Sequence, residues 1–167
     1  MRFFTEDVVE FELNDIAARK RFDEACRLNH AEYLKVRNRL PERFIEIYER
    51  TVHFDDALVL DIGIITEQPQ LSTSPPSYIK MILMDYDNRR LVWEIIIDQI
   101  KEMSARWVVR EGNSRIDCIN YDEFQTADDG YISWEIDFVG GLNLKTIFKN
   151  IRVRELDETE TEQFGSH

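Results

Sequence analysis

Glycine, proline and cysteine are scarce in this chain of 167 residues, basic residues are outnumbered by acidic ones, and each of these features excludes a class of protein. Six glycines and four prolines do not make a collagen-like or low-complexity sequence. The two cysteines, Cys26 and Cys118, form no Cys-x-x-Cys motif, and we expect two buried thiols in a reducing compartment. The 21 basic residues face 33 acidic ones. Duplex nucleic acid is therefore not an expected partner, because binding phosphates requires a basic face.

Long apolar runs are also missing. No stretch approaches the roughly 18 consecutive apolar residues that a membrane-spanning helix needs. The first residues include acidic side chains by position 6 and lack the apolar run of a signal peptide. We therefore expect a soluble cytoplasmic protein that does not bind membranes.

The length fits a single domain with one ordinary hydrophobic core. We assign residues 1–156 to this domain. Residues 157–167 form an acidic tail that is poor in apolar side chains, and we predict that it is disordered. The last three residues, Gly165-Ser166-His167, resemble the start of a purification tag and do not enter the fold prediction.

The first third of the chain predicts one strand and two helices. Residues 8–13 alternate between apolar and acidic side chains, as in a half-buried strand. Asn14-Asp15 then supplies a helix N-cap, and an apolar stripe with helical spacing continues to Leu40. Pro41 ends this helix and suits the first turn of a second helix, which Phe44, Ile47 and Tyr48 mark.

After position 53 the apolar period changes to two, which indicates strands separated by short turns. Short turns make neighbouring strands antiparallel, and a run of helices followed by a run of strands indicates the α+β class. We predict an N-terminal strand and a helical hairpin packed on a mostly antiparallel sheet of about six strands, flat or curled into a partial barrel. The predicted strands cover residues 57–64, 78–85, 91–97, 105–110, 116–124, 132–138 and 144–153.

The sequence contains none of the known motifs for catalysis, metal binding or cofactor binding that we searched for. His30 and His53 lie beside no nucleophile motif, and we interpret both as structural or surface residues. No His-Glu-x-x-His sequence, Cys/His cluster or glycine-rich phosphate loop is present. We therefore predict no catalytic, metal or cofactor residue, and we interpret Trp93, Trp107 and Trp134 as core residues.

Carboxylates are the abundant functional groups. Glu135 and Asp137 point to one side of a predicted strand, roughly 7 Å apart from the strand rise. Asp55-Asp56 precedes another strand, and Asp128-Asp129 lies in a turn. A glycosidase needs two carboxylates that face each other across a cleft, usually from different elements. We interpret these six residues as solvated or partner-facing groups.

Charge divides the chain into two parts. Residues 17–50 contain nine basic and six acidic side chains, whereas the rest contains twelve basic and twenty-seven acidic ones. An acidic sheet would steer a basic partner towards itself. The first hypothesis is therefore a non-enzymatic protein-interaction module that binds a basic protein, such as a toxin domain. Its contact residues are Asp55, Asp56, Asp128, Asp129, Glu135 and Asp137.

Some local sequences resemble a bacterial family of small proteins of unknown function. They are Met1-Arg2-Phe3-Phe4-Thr5, the helical pair broken at Leu40-Pro41, and Phe54-Asp55-Asp56-Ala57 before a strand. The family is expected to have His-Asp-Ala where this chain has Asp55-Asp56-Ala57. The segment Phe148–Val153 is similar to the last strand of small acidic immunity-type domains. The resemblance implies no catalytic residue.

Two other hypotheses remain open. The apolar strands could enclose a pocket, which would make the protein a small-ligand-binding or hydrolytic half-barrel that uses paired carboxylates. Alternatively, the open face of the sheet could join two copies of the chain in a structural homodimer.

Overall fold

A computed structural model describes residues 2–4, 15–55, 57–65, 77–107 and 118–164 of the chain. The predicted strand over 8–13 lies outside the described residues, as do Asp56 and Gly165-Ser166-His167.

Two helices precede the strands, as the sequence predicts. Helix α1 spans Ile16–Val36, and its N-cap Asp15 accepts hydrogen bonds from the backbone N–H groups of Ala17 and Ala18. A 3₁₀ turn, Arg37–Arg39, leads to Pro41, the N-cap of helix α2. Helix α2 spans Glu42–Arg50.

The strands form two antiparallel sheets of four strands each. Sheet I has the order β1-β2-β3-β8, and sheet II has the order β4-β7-β6-β5. The bounds are β1 Leu58–Ile65, β2 Tyr78–Met84, β3 Val92–Asp98, β4 Glu102–Trp107, β5 Ile119–Thr126, β6 Ile132–Phe138, β7 Leu142–Phe148 and β8 Asn150–Glu155. The α+β class is confirmed, whereas the prediction of one sheet of about six strands is wrong, and the sheet is not closed.

The chain changes sheets at two places that the sequence interpretation missed. One is between β3 and β4, where Gln99 has a positive φ of 53°. The other is Lys149, which separates β7 from β8 within the segment that was predicted as one strand. The inward residues of β7, such as Leu144 and Phe148, have even numbers, but those of β8, Ile151 and Val153, have odd numbers. This change of parity reflects the break.

The core lies between the sheets and is closed by helix α2. Phe44 of α2 contacts Phe124 and Trp134 of sheet II in edge-to-face geometry. Phe54, just after α2, lies 6.0 Å from Trp93 of sheet I, ring centre to ring centre. Helix α2 therefore packs between the two sheets, whereas α1 packs along β5 of sheet II.

The acidic tail has more order than predicted. Residues Glu158–Glu162 form a short helix, α3, with a capping box between Asp157 and Glu160. Leu156 and Phe164 on either side of it pack on the outer face of sheet I. This apolar contact anchors a segment that composition alone describes as disordered.

The burial of three residues also differs from the prediction. Cys26 is exposed and Cys118 is half-buried, and neither forms a disulfide. Trp107 is 58% exposed, whereas Trp93 and Trp134 are buried as predicted. Trp107 belongs to β4, an edge strand of sheet II in which every residue except the half-buried Met103 is exposed.

Candidate functional site

A left-handed turn follows helix α2 and contains no glycine. Val52, His53 and Phe54 have φ angles of 49°, 67° and 58°. L-residues adopt this region at a cost of about 1–2 kcal/mol each and rarely in succession. The turn is held by a 2.7 Å hydrogen bond from the His53 N–H to the Tyr48 carbonyl and by the burial of Phe54. Backbone strain of this kind often occurs at binding sites.

We expect Val52→Gly to stabilise the protein. Val52 is 69% exposed, so the substitution removes little packing, and glycine adopts positive φ without steric cost. The relief exceeds the extra entropy of glycine in the unfolded chain by about 1 kcal/mol. Urea denaturation measures the change. The control is Leu34→Gly in right-handed helix α1, where exposed glycine costs about 1 kcal/mol. A loss of stability in Val52→Gly would contradict the strain.

The turn borders a cleft of about 360 Å³ between α1 and the start of β5, which we call the α1–β5 cleft. Three aromatic rings form one wall. Phe4 stacks on Tyr121 with ring centres 4.7 Å apart, and Phe22 lies 6.0 Å from both rings. This wall brings together the N-terminal segment, α1 and β5, which are far apart in the sequence.

Imidazoles and a thiol line the opposite part of the cleft. His30 of α1 and His53 of the turn stack with ring centres 6.0 Å apart, and Tyr48 stacks 4.6 Å below His53. Burial, together with the neighbouring His30, lowers the pKa of His53, so its imidazole is neutral at pH 7. Burial, Asp23 and Asp55 raise the pKa of the Cys26 thiol. The thiol is therefore protonated at pH 7, unlike that of an activated cysteine nucleophile.

The base of the cleft contains two buried polar side chains. The Asn29 Nδ2 donates a 2.8 Å hydrogen bond to the Asp122 carbonyl, but the Asn29 Oδ1 has no donor among the described residues. The Asp122 Oδ2 accepts hydrogen bonds from Tyr48 Oη at 2.8 Å and Trp134 Nε1 at 2.6 Å. Burial raises the pKa of Asp122 to about 7, although these two hydrogen bonds act in the opposite direction.

A second cleft, of about 390 Å³, lies on the other side of the turn and shares Val52 and Asp55 with the first. Its rim includes the β2–β3 turn, where Tyr86 is 57% exposed between Asp85 and Asp87. The Asp85 Oδ1 accepts the Asn88 N–H at 2.7 Å and fixes this turn. We call Val52, Asp55, Asp85, Tyr86 and Asp87 the docking patch.

The predicted contact residues do not form one surface. Asp55 is exposed and lines both clefts, whereas Asp56 lies outside the described residues. The Ala57 carbonyl, two residues after Asp55, accepts a hydrogen bond from the Ile119 N–H at the start of β5. Asp128 and Asp129 lie beyond the other end of β5. The length of β5 therefore puts roughly 25 Å between these two acidic sites. Asp129 lies 3.8 Å from Lys101.

Glu135 and Asp137 lie on the outer face of sheet II. Glu135 is half-buried and in register with Lys145 on β7. Asp137 is 8% exposed and accepts a 3.1 Å hydrogen bond from Asn120 Nδ2. Neither belongs to the docking patch.

Charges on the outer face of sheet I occur in pairs. Arg154 contacts Glu94 and Glu160 at 2.7 Å each, and Arg152 lies 3.0 Å from Asp98. Lys80 lies 3.9 Å from Asp61. The surplus of acidic residues is therefore not displayed as a continuous negative face on this sheet.

No group of three or more histidine, cysteine or acidic side chains in the described part of the chain could hold a metal ion. Among the helices in the described ranges, none is long and apolar enough to cross a membrane.

Comparison with known proteins gives no assignment. No protein-family model matches the chain, and no curated protein matches its sequence. The resemblance to a bacterial family therefore stays a prediction.

Proposed function

We propose that this protein is a non-enzymatic binding module that captures a basic protein partner through the docking patch. The observation that carries the proposal is the position of two exposed apolar side chains, Val52 and Tyr86, among three carboxylates. Interface centres are rich in aromatic anchors, and surrounding charges steer a partner of opposite sign. The class of partner that this chemistry fits is a basic protein, such as a toxin domain.

Charge complementarity supports a basic partner rather than an acidic one. Three carboxylates line the second cleft, at Asp55, Asp85 and Asp87, against one guanidinium, that of Arg50. Arg89 and Arg90 follow in the same β2–β3 turn but do not line the cleft.

Local rigidity supports the same surface. The left-handed turn presents Val52, and the hydrogen bond within the β2–β3 turn fixes the backbone beside Tyr86. A surface that is already ordered loses less conformational entropy on binding than a mobile loop does.

The experiment uses a fluorescein-labelled octa-arginine peptide as a basic probe, with binding measured by fluorescence anisotropy in about 50 mM salt, where charge pairs are weakly screened. We expect the variant D85N/D87N to bind about tenfold more weakly, since each exposed charge pair contributes roughly 0.2–1 kcal/mol. Asparagine preserves the turn because it caps the same backbone N–H. Tyr86→Ala is expected to weaken binding by a further factor of about five.

The matched control is D128N/D129N, which removes the same charge from the other predicted site. Equal weakening by both double variants would mean that the probe senses net charge rather than the docking patch, and the proposal would fail. Binding of the neighbouring gene's product, tested with the same variants, then extends the experiment from a probe to a protein.

A further inference from the structure

We infer that the α1–β5 cleft is a binding site for a small organic cation with a flat apolar body, such as an aryl amidine, guanidine or amine. This inference concerns the opposite side of the left-handed turn from the docking patch, and the two sites share Val52 and Asp55. It rests on an unsatisfied acceptor, an aromatic wall and the charge of the lining.

The unsatisfied acceptor is the Asn29 Oδ1. Asn29 is 7% exposed, and one of its two polar atoms is used to hold the backbone of β5. Its Oδ1 has no donor among the described residues. A buried polar atom without a partner costs free energy. The Asn29 Oδ1 is closed to solvent in this structure, so a bound molecule that donates a hydrogen bond to it must displace the groups that cover it. Since the atom is an acceptor, the molecule that satisfies it must carry an N–H or O–H group.

The charge of the lining selects a cation. Asp55 is exposed and lines the cleft, and no lysine or arginine occurs among the described lining residues. His53 does not oppose a cation, because its imidazole is neutral at pH 7, which leaves His30 as the one group of the described lining that can carry a positive charge. The effect of Asp23 and Asp55 on the Cys26 thiol indicates the same negative potential along this wall.

The shape of the cleft selects a small, flat body. Phe4, Phe22 and Tyr121 offer aromatic surface against which another ring can stack. Aromatic rings also attract cations that lie close to their faces. A volume of about 360 Å³ is at the lower end of the range for small-molecule sites.

Benzamidine, benzamide and benzoate test the inference, because the three probes share one ring and differ in charge and donors. Isothermal titration calorimetry is expected to give a Kd of about 1 mM or tighter for benzamidine, weaker binding for benzamide, and no binding for benzoate. Two results would overturn the inference: equal affinity for benzamidine and benzoate, or no detectable binding of benzamidine at about 10 mM ligand.

Labelling of Cys26 locates the bound probe. Cys26 is exposed in the cleft, whereas Cys118 lies outside its lining and serves as an internal reference. Saturating benzamidine is expected to slow the reaction of Cys26 with N-ethylmaleimide about threefold or more, with Cys118 unchanged. Binding without protection of Cys26 would place benzamidine elsewhere and contradict the inference.

Variants separate this site from the docking patch. Asp55→Asn is expected to weaken benzamidine about tenfold and Phe22→Ala about fivefold, whereas the exposed control Glu158→Gln stays within about twofold. Phe22→Ala should leave octa-arginine binding unchanged, and Asp87→Asn should leave benzamidine binding unchanged. The two proposals can therefore fail separately. Benzamidine affinity that is unaffected by both Asp55→Asn and Phe22→Ala would overturn the assignment of this cleft.

Discussion

Replacing Asp122 with asparagine is expected to remove a loss of stability that the protein undergoes between about pH 4 and pH 7. The carboxyl group of Asp122 is enclosed between α2 and sheet II, where burial raises its pKa from 3.8 to about 7. Glu123 and Asp55 raise this pKa further, and the hydrogen bonds from Trp134 and Tyr48 lower it. The protein therefore favours the protonated, uncharged form of this side chain.

The direction of the pH dependence follows from proton binding. Between pH 3.8 and about 7, folded Asp122 keeps a proton that the unfolded chain releases. The stabilising contribution of Asp122 to the free energy of unfolding is therefore complete below pH 3.8. It decreases as the pH rises, and above about pH 7 it no longer changes. The difference between these pKa values corresponds to about 4 kcal/mol, as an order of magnitude.

Asparagine has nearly the same shape and keeps a carbonyl acceptor for Tyr48 and Trp134. Urea denaturation at intervals from pH 4 to pH 8 measures both proteins. The stability of Asp122→Asn relative to wild type should rise by several kcal/mol over this range. Tyr48→Phe removes a hydrogen bond that lowers the pKa of Asp122, so in that variant the loss should level off at a higher pH. A constant difference between Asp122→Asn and wild type would show that the carboxyl group does not titrate as described.

Local elements were predictable because their signals are local. Asp15 caps α1 as predicted, and Pro41 separates the two helices. The alternation of Ile132, Trp134 and Ile136 identified β6 as a strand and gave its buried face. These features depend on side chains within one turn of helix or one strand.

The arrangement in two sheets depends on information that alternation does not carry directly. Short turns predict antiparallel neighbours but not which strand edges meet at a corner. The inward apolar residues change from even to odd positions between Phe148 and Ile151, and this change in the sequence already indicated that the strand is interrupted at Lys149. Alternation within β5 places Asp122 on the same inward face as Phe124, so a buried carboxylate could have been inferred there.

The candidate sites were only partly predictable. Asp55 was singled out by its charge, and it lines both clefts. The stacking of His30 and His53 was missed, because it requires a left-handed turn at residues that carry no glycine signal. Tyr86 was also missed, since a single aromatic residue in a turn does not reveal its exposure. Long-range packing creates both features.

The second large effect is expected from Glu123→Gln, through the N-terminal segment. The Glu123 side chain is fully buried, and its carboxylate accepts hydrogen bonds from the backbone N–H groups of Arg2, Phe3 and Phe4 at 2.7, 2.7 and 3.0 Å. These three bonds fix the segment that places Phe4 against Tyr121 in the wall of the α1–β5 cleft. Hydrogen bonds to charged groups contribute about 1.5–3 kcal/mol each when both partners are held in place.

Glutamine replaces one acceptor oxygen with an NH₂ group that would point at a backbone donor. The terminal segment can escape this conflict by leaving the surface, which limits the expected loss of stability to about 3 kcal/mol. Hydrogen exchange at the amides of Phe3 and Phe4 reports the release directly. Exchange should accelerate about a hundredfold, in line with that free energy.

Glu135→Gln is the matched control, because Glu135 lies in register with Glu123 on the next strand and on the same face. It makes the same change of charge without touching the three N–H groups, so exchange at Phe3 and Phe4 should stay near that of wild type. Release of Phe4 also removes part of the aromatic wall, and Glu123→Gln should therefore lower the affinity for benzamidine together with amide protection. Unchanged amide exchange in Glu123→Gln would mean that the carboxylate does not hold the segment, and the wall of the cleft would need another support.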